Sequence, residues 1–307
     1  MPIHSILALT DFSTPAEQAL DRAALLAVRH QARLRVMYAD EVPSLKFSDP
    51  FARLQQRVRQ LARRHDIAAE ALAHSGCLVD AIVRHAARAD LLVLDPRQHR
   101  ARHTFWRGTT LEQLMRRCPC PVLVVKQAPS RPSYRHVLVA VDFTPESSKL
   151  ARYASGFEDE SALELFHALN TFDAPGVRLD SGSAADAYRQ AVLRDARDRL
   201  VRFSDSFDTR KNRASLAAGR AEPARQIVAH QDFVRSDLVI VGKRRDSTFV
   251  DFLFGSIAGR VVSLAGCDVL VVSHDYQAPS GVAAKRRIQC VPYQEAGRLQ
   301  VARRKAV

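Results

Sequence analysis

The sequence is written twice, and that constrains the fold more than any single motif does. The opening HSILALTDFSTP, residues 4–15, returns as RHVLVAVDFTP at 135–145. ARLRVMYA (32–39) returns as SALELFHA (161–168), ARADLLVLD (87–95) as VRSDLVIVG (234–242), and CPCPVLVVK (118–126) as AGCDVLVVS (265–273). Four blocks repeated in one order mark a tandem duplication. Between the copies KQAPSRPS, 126–133, holds two prolines, two serines and no periodicity, which is the composition of a linker. The domains therefore divide as 1–128 and 134–275. The remainder, 276–307, loses any sustained pattern and reads as a flexible basic tail.

Within each copy, short apolar runs alternate with amphipathic stretches. In the first copy the runs at 4–9, 33–38, 68–73, 91–94 and 122–125 are continuous rather than alternating, as expected of parallel strands covered on both faces. Between them Ala16, Ala19, Leu20, Ala23 and Ala27 recur at helical spacing, as do Phe51, Leu54, Val58 and Leu61. Thr14-Pro15-Ala16-Glu17 reads as a helix start: a Thr N-cap, Pro at the first helical position and Glu closing a capping box. Strand–helix alternation predicts βαβ units with right-handed crossovers. Each copy is expected to be an α/β domain, a Rossmann-like doubly wound parallel sheet of five strands. In such sheets ligands bind beyond the carboxyl ends of the strands, where the strand order reverses. Asp11, Asp142 and the Gly242 turn all sit at carboxyl ends of strands, so the residues of interest converge on that edge.

Composition excludes some classes. No apolar run approaches the ~18 residues of a membrane span, and MPIHSILALTDFS reads as a first strand, not a signal peptide, which points to the cytoplasm. Five cysteines (Cys77, Cys118, Cys120, Cys267, Cys290) are too scattered for a disulfide framework, and the C-P-C pair is neither a zinc nor a thioredoxin spacing. The eleven histidines show no metal-ligand spacing, so no metal site is expected. Part of the net charge of +13 sits at one end: from His274 onward seven Lys or Arg face Asp275 and Glu295. Such a surplus favours weak attraction to nucleic acid or an anionic surface.

The stretch VGKRRDSTFVDFLFGS, 241–256, raises the central question. Together VAVDF, DLVIVG, the later Gly-Ser and CDVLVV resemble the universal stress protein family, whose domains have an adenine nucleotide alpha hydrolase-like fold, and the duplicated layout is similar to its tandem members. The resemblance covers roughly 1–275. Its ATP-binding members carry G-x2-G-x9-G-[ST] after the fourth strand. The second copy keeps that spacing with Gly242, Arg245 in place of the second glycine, then Gly255-Ser256. The first copy has Asp95 and Gln98 at the glycine positions and retains Gly108-Thr109 alone. The resemblance implies ATP with Mg as the ligand: Asp142 at the nucleoside or its metal, Ala140 and Ala168 bordering the adenine, and Gly242, Lys243, Arg245, Gly255, Ser256 and Ile257 at the phosphates. It also implies that the final strands pair the two copies as an internal pseudo-dimer, and it allows a homodimer. Physically, the first-turn N–H groups of a helix at 257–264 have no internal partners and suit an anion. Gly255 would let backbone approach an oxygen, whereas Arg245 either fills the space or forks onto a phosphate.

Plainer readings stand beside these. Gly-Ser and Gly-Thr are also ordinary helix starts, and Asp11 and Asp142 can simply cap the loop after the first strand. Lys243 to Arg245 can be a solvated loop. Trp106 reads as core or lid packing, and Phe249, Phe252 and Phe254 as cover for the same edge in the second copy. Asp95 opposes a phosphate by its charge, and Asp95-Pro96 also removes a donor. Three functions remain open. The first is a non-enzymatic stress-response protein holding ATP in its second domain. The second is a degenerate scaffold for another ligand or a protein, with the first crevice filled by its own side chains. The third is an adenylate-handling enzyme on the same architecture. The third lacks H-I-G-H or S-G-G-x-[DS] after the first strand, and neither G-x-S-x-G nor G-x-x-x-x-G-K-[ST] is present.

Overall fold

A computed structural model describes residues 3–39, 47–74, 77–96, 110–170, 183–206, 212–219, 221–243 and 257–276. The first lobe runs β1 (Ser5–Thr10), α1 (Thr14–His30), β2 (Arg33–Tyr38), α2 (Pro50–His65), β3 (Ala69–Leu72), α3 (Leu78–Ala86), β4 (Leu91–Leu94), α4 (Thr110–Arg117) and β5 (Val122–Val124). The second runs β6 (His136–Ala140), α5 (Pro145–Phe157), β7 (Ala162–Asn170), α6 (Ser183–Asp205), β8 (Asn212–Gly219), α7 (Pro223–Val234), β9 (Leu238–Lys243), α8 (Ile257–Leu264) and β10 (Asp268–Ser273). All five strands expected in the first copy are present, β2 and β4 with the expected ends.

Strand residues alternate between two cores. Ile6 and Ala8 pack beneath α1 and α2, while Leu7 and Leu9 pack beneath α3 and α4. Both faces of the sheet are thus dry, which is why the strands read as unbroken apolar runs. The same arrangement holds in the second lobe, with α5 and α6 on one face and α7 and α8 on the other. The start of α1 differs from the sequence expectation. Ser13, not Thr14, is the N-cap and accepts from the Ala16 N–H. Glu17 closes no capping box: its carboxylate pairs with Arg57 on α2 at 2.6 Å and accepts from the Thr10 hydroxyl. A charge partner on the neighbouring helix outcompetes a neutral local one.

Within each lobe every strand pair is parallel, in the orders β3-β2-β1-β4-β5 and β10-β9-β6-β7-β8. The lobes join as one ten-stranded sheet through an antiparallel β5–β10 pair, Val122 opposite Val271, Leu123 opposite Leu270 and Val124 opposite Val269. The pseudo-dimer of the two copies is therefore built on their last strands. Because the seam is antiparallel, the carboxyl edge of one lobe lies beside the amino edge of the other. Asp268, at the head of β10 and 3% exposed, fastens the join. It accepts from the Lys126 and Gln127 N–H groups at 2.8 and 3.3 Å and from the Tyr134 hydroxyl at 2.6 Å. Lys126 in return donates through Nζ to the Ala265 carbonyl.

A second interlobe contact joins the far ends of α1 and α5. Arg29 lies 3.0 Å from the wholly buried Glu158 and 2.5 Å from Asp159, and His30 packs on Phe157 with ring centroids 5.9 Å apart. Burial pushes the Glu158 carboxyl up to about 7, with Arg29, the Tyr134 N–H and Arg22 pulling the other way. A carboxyl raised on folding binds its proton more tightly in the native state. Its contribution is complete below the ordinary carboxylate range and is lost as pH rises through about 7. Compared with Glu158→Gln, the wild type should lose on the order of 3 kcal/mol between pH 4.5 and 8, measured by urea unfolding of both across that range. Parallel pH profiles would refute the assignment.

Candidate crevices at the carboxyl edges

The strand order reverses on either side of β1 and of β6, so each lobe has one crevice at the carboxyl ends of β1/β4 or β6/β9. In the second lobe Ala140 ends β6 and pairs in register with Phe166 of β7, and Ala168 lies two residues further along β7. Both alanines pack against the core beneath α7 and α8. Gly242 sits near the end of β9, directly followed by Lys243, whose carbonyl accepts from the His274 N–H at 2.8 Å. Ile257 opens α8 and is 49% exposed. Arg245, Gly255 and Ser256 lie outside the described residues, as do Gln98, Trp106, Gly108, Thr109, Phe249, Phe252 and Phe254.

Asp142 does two things at once. Its Oδ1 accepts from the Thr144 N–H at 3.2 Å, from the Thr144 hydroxyl at 2.6 Å and from the Ser147 hydroxyl. Its own N–H donates back to Ser147 at 3.0 Å, and Thr144 caps α5 by accepting from the Ser147 N–H. The capping role is thus real, and Asp11 shows it too, accepting from the Ser13 N–H at 2.9 Å. All three of these bonds reach Asp142 through Oδ1. Oδ2 takes none among the described residues, on a side chain open to solvent. Partial burial pushes the carboxyl up, but the bonds from Ser147 and Thr144 and the nearby His274 outweigh it, so its pKa ends below the ordinary aspartate value.

Three features escaped the sequence reading. Phe12 and Phe143, the residues after the two aspartates, both adopt φ of 62°, a left-handed conformation that a bulky side chain takes only where its surroundings impose it. The Phe143 ring lies 4.1 Å from the His167 ring, which in turn donates through Nδ1 to the Val141 carbonyl at 2.8 Å. Burial lowers the His167 pKa, leaving a neutral ring at this edge. The third feature is His274. A Cβ built on Gly242 would meet its Nε2 at 2.7 Å, so the imidazole lies directly over the glycine. The repeated Asp-Phe dipeptide was a visible signal for the first feature. His274 gave none, because it reaches Gly242 only through the β9–β10 pairing.

The first lobe carries a corresponding aromatic cluster. Phe12 stacks on Tyr38, the last residue of β2, at 5.1 Å, and Phe47 meets it edge-on at 5.4 Å. The Arg53 guanidinium covers both rings at 4.9 and 4.2 Å. Asp95, directly after β4, is 1% exposed. Rings gather at this edge in both lobes, Phe143 of the second also meeting Phe203 at 6.1 Å, and the first lobe differs in having the buried Asp95 where the repeat has Gly242.

Two lobes with crevices at the strand-order reversal, joined through their last strands, define a tandem Rossmann-like α/β protein. A model of the universal stress protein family matches residues 2–126 and 133–273, and the chain belongs to that family. It is 24% identical over 146 residues to universal stress protein YxiE of Bacillus subtilis, covering 45% of this chain and 99% of that one. It is 22% identical over 139 residues to universal stress protein MJ0531 of Methanocaldococcus jannaschii, covering 45% and 82%. Both relatives thus align with about one lobe. The crystal structure of a universal stress protein from Archaeoglobus fulgidus matches both lobes, with a TM-score of 0.61 at 16% identity, over 88% of this chain and 96% of that chain. At that identity the likeness supports the fold.

The hydrogen bonds to Asp142 make it a stabilising group. A carboxyl lowered on folding contributes stability above its unfolded pKa and loses it as pH falls through the folded one. Asp142→Asn should cost about 1 kcal/mol at pH 7, since solvent screens the site. The difference should close as pH drops below about 4. Urea titrations at pH 7 and pH 3 check this; an undiminished gap at pH 3 would contradict it.

Proposed function

We propose that the protein is a cytoplasmic, non-enzymatic stress-response protein whose second lobe binds an adenine nucleotide with Mg, and whose first lobe binds none. One observation carries the reading: Asp142, an exposed residue at the β6–β9 reversal, is held by Thr144 and Ser147 through Oδ1, and its Oδ2 takes no bond among the described residues. In this reading Oδ2 meets the nucleoside or its metal, Ala140 and Ala168 border the base, and Gly242, Lys243, Arg245, Gly255, Ser256 and Ile257 take the phosphates. The buried Asp95 of the first lobe, at the position Gly242 holds in the second, would oppose a phosphate by its charge and supports restricting the ligand to the second. The polar side chains at the Asp142 turn bond to one another as a cap, which favours binding over chemistry. The described cysteines are free thiols, in keeping with a reducing compartment.

The imidazole over Gly242 favours a second reading, in which the lobe is a scaffold closed to nucleotide. Titration calorimetry with ATP·Mg separates the two. On the first reading the wild type gives saturable heat, Asp142→Ala weakens binding by tenfold or more, and His274→Ala strengthens it by clearing the glycine. If neither the wild type nor His274→Ala takes up ATP·Mg, the scaffold reading holds.

A further inference from the structure

A pocket of about 220 Å³ opens on the other edge of the second lobe, where the linker passes the heads of β6 and β10. Arg22, Ser130, Arg131, Ser133, Arg135 and Arg235 line it, with Asp237 and Asp268. The two carboxylates are already engaged. Asp237 accepts from the Arg135 and His136 N–H groups at 2.8 and 2.9 Å, and Asp268 accepts from Lys126, Gln127 and Tyr134 as described. Of the four guanidinium groups, Arg22 alone comes within 4 Å of a carboxylate among the described residues. Arg29, Arg57, Arg117, Arg199 and Arg260 each reach a carboxylate within 4 Å, but the exposed Arg131, Arg135 and Arg235 reach none among the described residues.

Arg22 is the fixed member. Its side chain is 7% exposed, lies 4.3 Å over the Tyr134 ring and donates to the Arg131 and Pro132 carbonyls at 3.0 and 3.4 Å. Its Nε is buried without a hydrogen bond, 3.8 Å from Asp268. Packing does not demand this charge. The buried pattern of α1 repeats along α5, with Ala16, Ala19, Ala23 and Leu26 matching Ser147, Leu150, Ala154 and Phe157. On that match Arg22 corresponds to Tyr153, and in the repeated PVLVV and DVLVV segments Asp268 corresponds to Pro121. At the related position, then, the fold uses the buried Tyr153, with Tyr276 packed edge-on at 5.6 Å. An aromatic pair suffices there, and a buried ion pair is seldom the more stabilising choice.

The geometry points to a binding site for a small phosphate-class dianion, either inorganic phosphate or the phosphoryl end of a small metabolite, held between the linker and the head of the second sheet. Guanidinium forks and serine hydroxyls suit phosphate oxygens. The volume lies below the ≈ 300–1,000 Å³ of a drug-sized pocket, so the bound part is small. An anion here would bridge the linker to both lobes and oppose their separation. The site is independent of the nucleotide crevice, which lies at the other end of the second lobe's strands.

The test is calorimetry on the full chain with inorganic phosphate and with glycerol 3-phosphate, at ionic strength matched by sodium chloride. Saturable binding of one equivalent is expected, weakened at least tenfold in Arg135→Gln/Arg235→Gln. It should stay within twofold in the charge-matched Arg63→Gln/Arg64→Gln on α2, and be unaffected by saturating ATP·Mg. Binding of phosphate alone assigns a free anion; binding of only the monoester assigns a metabolite. No saturable heat with either probe, equal losses in the two double variants, or displacement by ATP·Mg would each overturn the assignment.

Discussion

The rest of the molecule hangs from the antiparallel β5–β10 pair. A sheet edge is a row of unpaired N–H and C=O groups that a protein must cover or pair. Each lobe ends in such an edge, and each covers the other's. Only Val122 to Val124 and Val269 to Val271 meet directly, yet they close both edges and carry a continuous core across the seam. The contact rests on more than three rungs because Asp268 ties the head of β10 to the linker backbone and to Tyr134.

The direction of that pair decides where chemistry can sit. In a parallel sheet, the loops that can shape a ligand crevice gather at the carboxyl edge. An antiparallel seam turns one lobe over relative to the other, so their crevices face opposite rims and cannot share a ligand. Each lobe is then free to diverge. The first has a buried Asp95 directly after β4, whereas the second has Gly242 on β9 and an aspartate whose Oδ2 takes no bond among the described residues. The same reversal brings the second lobe's amino edge against the linker and α1, which is how Arg22 of the first lobe comes to neighbour Asp268 of the second.

Much of this was legible in the linear chain. Repeated blocks announced two similar lobes, and unbroken apolar runs such as DLVIV announced parallel strands with both faces dry. The aspartate after each first strand was equally visible. What could not be read was the local competition for each polar group. Thr14 looked like the cap of α1, but Ser13 stands one residue nearer the turn and takes the role. Glu17 looked like its reciprocal partner, but Arg57 lies on a helix whose nearness no local pattern encodes.

Periodicity and repetition therefore determined the class of fold, the number of lobes and the strands that bear the key aspartates, because burial on two sides leaves a pattern in residues close along the chain. The tertiary structure alone decided that Phe12 and Phe143 take a left-handed backbone, that His274 lies over Gly242, and that Arg22 and Asp268 meet across the join. Each depends on which strands become neighbours. Sheet register couples residues far apart in sequence, and such a pairing leaves no trace in the order of either segment.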